Sequence, residues 1–291
     1  MDLSIIIVNY KTKDLTLQTL KSVFQAQPPK GKMEVILVDN ASDDDTTITA
    51  RKLFPPIKII DSQTNIGFAG GNNLGIRQAK GRYVLLLNSD TLIEADTLVK
   101  MVEFMDNNPK AGLSTCQVKL LNGELDPASH RGFPTPWAAF TYFLGLEKIF
   151  PSSRIFGQYH LGCKNLREVH EIDSPSGAFF MLKKRALDQV GLLDETFFMY
   201  GEDIDLAYRL KKAGWQIIYT PITKIIHLKG ASGISSSSKS QRLKTTASFF
   251  NTMKIFYHKH YQKKYLFLIK WLVFLGIDMV KLIKNIKIKL S

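Results

Sequence analysis

Cysteine is scarce in this sequence, and its scarcity argues against two kinds of site. The 291 residues include only two cysteines, Cys116 and Cys163, with no CxxC pair and no matching cluster of histidines. Disulfide frameworks and structural zinc sites require more such residues at characteristic spacings. The sequence therefore predicts neither of them, and its cysteine content fits a reducing cytoplasm.

Long apolar runs and a signal peptide are also lacking. A membrane-spanning helix needs about 20 apolar residues, and the apolar segment 263–291 is interrupted by Lys270 and Asp278. The N-terminal MDLSIIIVNY has an acid where a signal peptide has Lys or Arg, and its apolar run is too short for one. We therefore expect a globular cytoplasmic protein whose first apolar run is a buried strand.

Two common nucleotide-binding signatures are absent. The glycines Gly67, Gly70, Gly71 and Gly75 do not form GxGxxG after the first strand, and no GxxxxGK[ST] occurs in the chain. These absences disfavour an ordinary NAD enzyme and a P-loop ATPase.

Positive charge is concentrated at one end of the chain. The formal net charge is +13, but residues 239–291 alone hold twelve Lys or Arg and a single acid, Asp278. The rest of the chain is nearly neutral, unlike the basic domain of a nucleic-acid-binding protein. We expect no nucleic-acid partner, and we expect the partner of the positive charge to meet the C-terminus.

Short apolar runs alternate with helical patterns through the first hundred residues. The runs are LSIIIVN, MEVILVD, IKIID and RYVLLLN, and the helical patterns cover 14–26, 45–53, 70–79 and 95–107. Strands buried on both faces and separated by helices indicate an α/β fold with a parallel sheet and βαβ crossovers. Ligands of such sheets bind beyond the carboxyl ends of the strands.

Polar side chains follow each of these strands. The first strand ends in Asn9, the second in VDNASDDD (38–45), the third in Asp61 and the fourth in NSDT (88–91). Ser42 and Asp43 either cap the following helix or bind a ligand. Asp90 follows an unusually apolar strand, and a lone carboxylate there suits a hard cation such as Mg²⁺.

Two further stretches have the composition of functional segments. Residues 64–81 are rich in Gly and Asn and lead into a helix, which lets backbone N–H groups approach a phosphate; for Gly75, close packing is the alternative. In YGEDIDLAYRLKKAGW, the acids Glu202, Asp203 and Asp205 occupy four positions. They either complement a helix start, or one of them takes a proton from a substrate.

Five motifs in order, VDNASDD, NIGFAGGNNLG, LLLNSDT, SGAFFML and FFMYGEDIDLAYR, resemble those of the family-2 glycosyltransferases, most closely the rhamnosyltransferase-like branch. The resemblance covers residues 3 to 230. It implies a GT-A fold, a Rossmann-like, mostly parallel sheet flanked by helices, in a catalytic domain of residues 1–235. Residues 1–110 would bind the nucleotide sugar, residues 111–235 would bind the acceptor, and residues 236–291 would form a basic helical tail.

The resemblance also implies which residues bind the donor and a metal ion. The donor-binding residues would be Asn9, Asp39, Asn40, Ser42, Asn65, Gly67, Gly70, Asn72, Asn88 and Gly177. Asp90 stands where the metal-binding DxD motif of the family ends and would hold Mg²⁺ or Mn²⁺, although Asn88 replaces the first Asp with a neutral ligand. His227 is either a further metal ligand or a structural residue.

The same resemblance implies the reaction. Asp203 would be the general base that takes the proton of the acceptor hydroxyl, Glu202 would support the acceptor, and Asp205 would be a first-turn helix residue. The reaction would move one sugar, L-rhamnose, with inversion, from a nucleoside-diphosphate sugar to a hydroxyl of a glycan or lipid-linked acceptor in bacterial cell-surface polysaccharide synthesis. The alternatives are a sugar nucleotidyltransferase and a non-catalytic sugar-nucleotide-binding protein at the membrane.

The basic tail has three interpretations. Its mixture of apolar residues and lysines suits a helix that lies on the anionic inner face of the cell membrane, which would make the protein peripheral. The alternatives are a helix that forms a homodimer and one that packs against the catalytic domain. His258 and His260, both in this tail, are expected to be solvated.

Overall fold

The computed structural model of the chain describes residues 1–228 and 239–290, apart from the side chain of Gln241. Its strands are β1 (Leu3–Asn9), β2 (Met33–Asp39), β3 (Lys58–Asp61), β4 (Tyr83–Asn88), β5 (Thr91–Ile93), β6 (Ala111–Leu120), β7 (His170–Glu171), β8 (Phe179–Lys183) and β9 (Gln216–His227). Its helices are α1 (Lys13–Gln25), α2 (Thr46–Leu53), α3 (Gly67–Gln78), α4 (Thr97–Asn107), α5 (Pro136–Phe143), α6 (Leu146–Ile149), α7 (Lys184–Val190), α8 (Glu202–Lys212), α9 (Lys239–His260) and α10 (Phe267–Leu290).

The strands form one sheet in the order β3-β2-β1-β4-β8-β6-β9-β5, with β7 paired to β9. The first four strands, β1 to β4, pair in parallel, as the alternation of apolar runs and helices predicts. Strand β8 is antiparallel to both β4 and β6, so the second half of the sheet is mixed. The parallel half brings the carboxyl ends of β1, β2 and β4 to one edge, which confirms the predicted α/β arrangement.

Close packing explains two of the glycines in α3. This helix lies directly on β1: a Cβ at Gly75 would be 2.5 Å from Ile6 Cγ2, and a Cβ at Gly71 would be 2.8 Å from Val8 Cγ1. Any larger side chain would push the helix off the sheet. The packing alternative for Gly75 is therefore confirmed, and α3 is held close to the edge where the strands end.

Aromatic side chains pack α9 against the fold formed by residues 1–228. The buried members of this cluster, here called the tail cluster, are Phe197, Tyr208, Phe256, Tyr257 and Tyr261. Val273 and Phe274 of α10 pack against the same cluster. The first part of the tail is therefore attached to the domain, and the predicted boundary between residues 235 and 236 lies outside the described residues.

An ionic contact at Asp205 joins α9 to α8. The Asp205 carboxylate is fully buried, and it lies 2.7 Å from both Lys259 Nζ and His260 Nε2 and 2.8 Å from Arg209 Nε. The expectation that His260 is solvated is wrong, since its side chain is only 8% exposed. A buried carboxylate needs compensating partners, and the tail supplies a cation, Lys259, and a hydrogen-bonding histidine, His260.

The last helix, α10, has one packed side and one exposed side. Besides its contacts in the tail cluster, it is tied to α9 by the ion pair between Asp278 and Lys254, 2.7 Å apart. Its other side presents exposed apolar residues along its whole length. Within residues 1–228 and 239–290, no helix is long and apolar enough to cross a membrane.

Candidate active site

A buried polar cluster lies where β1 and β2 end side by side. The Asn9 amide donates to Asp39 Oδ1 at 2.8 Å and to Ser42 Oγ at 2.9 Å. The backbone N–H of Ser42 donates to Asp39 Oδ2 at 3.0 Å. Helix α2 begins only at Thr46, so Ser42 is not its cap. These contacts hold together the residues that are predicted to bind the base and ribose of the donor nucleotide. That the nucleotide binds there remains a prediction.

Asn40 organises the loop between β3 and α3. Its amide donates to Asn65 Oδ1 and to the Gly67 carbonyl, both at 3.0 Å, and its Oδ1 accepts from the Ile66 N–H at 3.0 Å. Gly67 has a φ of +79°, and a Cβ there would be 2.3 Å from the Phe198 carbonyl oxygen. Only glycine fits this position, which joins the predicted donor loop to the chain just before α8.

Three other predicted donor residues lie around this loop. Asn72 uses its amide inside α3, where it donates to the Phe68 carbonyl at 2.9 Å. Gly70 is also in α3, and a Cβ there would be 3.0 Å from the Ile66 side chain. Gly177 faces Phe68, whose ring would be 3.1 Å from an added Cβ. The contacts show packing for all three residues, and their roles in donor binding stay predictions.

The end of β4 and the end of β9 bring Asp90 and His227 together. His227 Nε2 lies 3.2 Å from Asp90 Oδ1, and His227 Nδ1 lies 2.9 Å from Asp126 Oδ2. Asn88 is next to this pair, with its Nδ2 3.5 Å from His227 Nε2. Its Oδ1 is buried, and no described residue hydrogen-bonds to it.

This geometry fits a divalent cation. A carboxylate on one imidazole nitrogen, here Asp126, is the usual support of a metal-binding histidine, and it directs the other nitrogen towards the ion. Mg²⁺ prefers oxygen ligands, Mn²⁺ also accepts an imidazole nitrogen beside oxygen ligands, and both ions are commonly completed by substrate phosphates. Asp90 and His227, with Asn88 beside them, can therefore hold one ion, although the described residues contain no cluster of three or more His, Cys, Asp or Glu arranged for a metal.

The charge of His227 depends on the same carboxylates. Burial lowers the pKa of His227, but the hydrogen bonds and charges of Asp126 and Asp90 outweigh burial and raise it to about 9. Without a metal ion, His227 is therefore a cation between two acids at neutral pH. Metal binding has to displace that proton, as it does at histidine sites in general.

We expect Asp126→Asn to weaken Mn²⁺ binding by about 10–100-fold, the usual effect of losing a carboxylate behind a metal-bound histidine. Calorimetric titration of Mn²⁺ into the folded variant measures this loss. Glu124→Gln is the matched control, because Glu124 is exposed and its carboxylate accepts a local hydrogen bond from the Asn122 amide. Equal Mn²⁺ affinity in the Asp126 variant and the control would contradict a metal role for His227.

The first turn of α8 contains Asp203, the proposed base, which forms an ion pair with Arg131. Asp203 Oδ2 accepts a hydrogen bond of 2.7 Å from Arg131 Nη2, which also donates to the Pro175 carbonyl at 2.8 Å. Both side chains are about nine-tenths buried. Burial lowers the pKa of Arg131, but the adjacent Asp203 charge raises it above its usual range. Asp203 is therefore held in place by a permanent cation.

Glu202 is in a different electrostatic environment. It is buried, and its Oε2 lacks a hydrogen-bond partner in the part of the chain that the structure describes. Burial raises the pKa of Glu202 well above its usual range, and the neighbouring Asp203 charge raises it further. The site therefore favours the neutral form of Glu202, whereas Asp203 is held in place by Arg131. The choice of Asp203 as the base rests on its position in the GEDID motif and stays a prediction.

One short segment connects the metal end with the base end. Asp126 supports His227, and Arg131, five positions later, pairs with Asp203. Between them a 3-10 turn, Pro127–Ser129, is capped by Asp126 Oδ1, which accepts from the Ala128 N–H at 3.0 Å. Neither Asp126 nor Arg131 was predicted from the sequence, since neither belongs to a motif and each contacts a residue far away in the chain.

A match to a family model decides which protein family the chain belongs to. The model of glycosyl transferase family 2 matches residues 4–191. The chain belongs to glycosyltransferase family 2. The alternative of a sugar nucleotidyltransferase is thereby set aside.

Two curated relatives of this family-2 glycosyltransferase are themselves sugar transferases by name. The low-salt glycan biosynthesis hexosyltransferase Agl10 of Haloferax volcanii is 30% identical over 78% of the chain and 67% of its own length. The N-acetylglucosaminyl-diphospho-decaprenol L-rhamnosyltransferase of Mycobacterium tuberculosis is 25% identical over 69% of the chain and 68% of its own length. The chain thus spans about two thirds of each relative.

A solved structure supports the GT-A fold of this family-2 glycosyltransferase. GalNAc-T7, crystallised with UDP, GalNAc and Mn²⁺, superposes with a TM-score of 0.62 at 14% identity, over 87% of the chain and 46% of that protein. At this identity the likeness concerns the fold alone. The mixed sheet and flanking helices described above are therefore confirmed as GT-A-type.

Proposed function

We propose that the protein is a metal-dependent, inverting glycosyltransferase that moves a single sugar from a nucleoside-diphosphate sugar to an acceptor hydroxyl. The Arg131–Asp203 pair beside the uncompensated Glu202 is the observation that carries this proposal. Asp203 takes the proton as the acceptor oxygen attacks the anomeric carbon, and the nucleoside diphosphate leaves from the opposite face. A displacement at one face inverts the anomeric configuration.

The metal end of the site serves the leaving group in this proposal. Asp90 and His227, with the Asn88 oxygen, would hold Mg²⁺ or Mn²⁺, which supplies positive charge where the diphosphate oxygens become negative. Asp126 keeps the imidazole oriented for this role. The arrangement of Asn9, Asp39 and Ser42 would receive the base and ribose, and the Asn40-ordered loop would lie along the donor.

For the sugar we propose L-rhamnose, and for the acceptor a lipid-linked or glycan hydroxyl in cell-surface polysaccharide synthesis. Two observations support this: the rhamnosyltransferase-like motifs, and the similarity to the mycobacterial L-rhamnosyltransferase, whose name specifies a diphospho-decaprenol acceptor. The proposed place of action is the cytoplasmic face of the cell membrane, where such an acceptor would be reached.

Helix α10 supports a peripheral membrane contact. Its exposed apolar residues are Phe267, Leu268, Trp271, Leu272, Leu275, Met279, Leu282, Ile283, Ile286 and Leu290. At 100° per residue they share one face of roughly 160°. Such a face with nearby lysines suits an anionic bilayer surface.

We expect the fluorescence of Trp271 to shift to the blue when the protein binds anionic vesicles. A concentration-dependent dimer that shows no such shift would contradict the membrane contact of α10.

A panel of nucleotide sugars tests the proposed function. The purified protein is incubated with Mn²⁺ and each of dTDP-L-rhamnose, UDP-glucose, UDP-N-acetylglucosamine and GDP-mannose, and released nucleoside diphosphate is measured. We expect slow hydrolysis of one donor, abolished by EDTA and by Asp90→Asn. Donor binding without any release, over a range of acceptors, would instead indicate the non-catalytic alternative.

A further inference from the structure

A continuous apolar surface lies outside the site described so far. It is formed by α5, α6 and the chain that follows them, and we call it the α5–α6 surface. Its exposed side chains are Trp137, Phe140, Tyr142, Phe143, Leu144, Ile149, Phe150 and Ile155, which are 37–65% exposed. Soluble monomers rarely present a contiguous patch of this kind unless it binds something.

Ring contacts make the α5–α6 surface a single unit. Trp137 lies 5.8 Å from Phe140 and 6.3 Å from Phe156, whose ring is 5.5 Å from Phe150. The Trp137 indole N–H donates to the Ile155 carbonyl at 2.9 Å. The two short helices are therefore held together as one surface whose outer rings remain exposed.

The exposed charges between residues 133 and 167 have one sign, and Glu168 is the first exposed acid after them. The exposed ionic residues of the segment 133–167 are all cations: Lys148, Arg154, Lys164 and Arg167. The single acid of the segment, Glu147, is buried and accepts a 2.8 Å hydrogen bond from the His160 N–H. Aromatic rings with a cationic border complement an anionic lipid leaflet, where rings enter the headgroup region and lysines or arginines meet lipid phosphates.

The α5–α6 surface is attached directly to the base end of the site. The Gly132 N–H donates to the Tyr159 carbonyl at 2.8 Å, and a Cβ at Gly132 would be 2.1 Å from the Gln158 carbonyl oxygen. Gly132 follows Arg131, the counter-ion of Asp203. Whatever docks on this surface is therefore held close to the proposed base.

We propose that the α5–α6 surface docks on an anionic lipid leaflet, as a membrane contact separate from α10. This contact would place the base end of the site at the leaflet from which a lipid-linked acceptor presents its hydroxyl. Only this last consequence rests on the proposed function, because lipid docking itself requires no catalysis.

Single-tryptophan variants of the full chain test the proposal. The chain has three tryptophans, so Trp215→Phe with Trp271→Phe leaves Trp137 as the reporter on the α5–α6 surface. The probe is a vesicle of phosphatidylcholine and phosphatidylglycerol in equal parts, with and without bromine on the acyl chains. We expect Trp137 emission to shift to the blue and to be quenched by the brominated lipid, with less effect on pure phosphatidylcholine and at high salt.

A pair of double variants makes the test specific. In the same background, Phe140→Ser with Phe150→Ser should weaken vesicle binding at least about tenfold, because two exposed aromatic anchors are lost. Ile48→Ser with Leu53→Ser is the matched control, since these residues are 70% and 56% exposed on α2, and it should bind as before.

Two results would overturn the proposal. One is Trp137 fluorescence that stays unchanged on anionic vesicles, while the fluorescence of a variant that retains only Trp271 changes. Membrane binding would then belong to α10 alone. The other is full vesicle binding by the Phe140/Phe150 variant. A positive Trp137 response in a protein that uses no nucleotide sugar would remove the proposed function and leave the lipid-docking surface in place.

Discussion

Asp203→Asn is expected to lower the rate of sugar transfer by about 10²–10⁴-fold, the usual contribution of a general base. The amide keeps the shape of the carboxylate and still accepts the hydrogen bond from Arg131, but it cannot take a proton. Donor binding should be unchanged, since the donor contacts the other end of the site. Initial rates at saturating donor and acceptor, with donor affinity measured by calorimetry, give both quantities.

Glu202→Gln is the informative partner of that variant. The pKa of Glu202 is raised by burial and by Asp203, so the protonated acid is the form that the site favours, and glutamine resembles it. We expect this variant to keep most of its activity, and Asp188→Asn, an exposed acid on α7, to keep all of it. A large loss in Glu202→Gln with normal turnover in Asp203→Asn would reverse the assignment of the base.

The second large effect concerns stability. Asp205→Ala should lower the free energy of unfolding by about 1.5–3 kcal/mol, because it removes a fully buried carboxylate whose partners on α8 and α9 then lose their acceptor. Urea denaturation near pH 7 measures the loss. The control is Asp278→Ala, which removes an ion pair whose Asp278 side chain is 55% exposed and should cost at most about 1 kcal/mol.

The effect of Asp205→Ala should depend on pH in one direction. Burial raises the pKa of Asp205, but His260, Lys259 and Arg209 lower it to a value below that of the unfolded chain. A lowered pKa in the folded state stabilises the protein above the unfolded value of about 3.9 and loses that contribution as the pH falls through the folded value. The difference between variant and native protein should therefore shrink below about pH 4; a difference that grows with acidity would contradict the buried ion pair.

The parts of the fold that the sequence predicted are those with local patterns. The runs that became β1, β2 and β4 are apolar because both of their faces are covered, and the polar residues at their ends mark the functional edge. The acidic residues in the first turn of α8 also form a local pattern, which was visible in the sequence. The mixed order of the later strands was not predicted, because a short strand such as β8 has the same apolar pattern in either direction.

The contacts that were missed join residues far apart in sequence. Arg131 and Asp203 are 72 positions apart, Asp126 and His227 are 101 apart, and Asp205 and His260 are 55 apart. Spacing along the chain contains no signal for such pairs, and a histidine within a basic tail has the composition of a solvated residue. Only the fold shows that a buried carboxylate faces each of these cations or histidines.

The central claim is that Asp90 acts on the donor and Asp203 acts on the acceptor, at separate ends of one site. Calorimetric titration of UDP and dTDP, with Mn²⁺ and with EDTA, into the native protein, Asp90→Asn and Asp203→Asn tests it most directly. We predict that Mn²⁺ strengthens binding of the preferred nucleotide by about tenfold or more in the native protein and in Asp203→Asn, and that Asp90→Asn loses this enhancement. Full enhancement in Asp90→Asn, or its loss in Asp203→Asn, would contradict the claim.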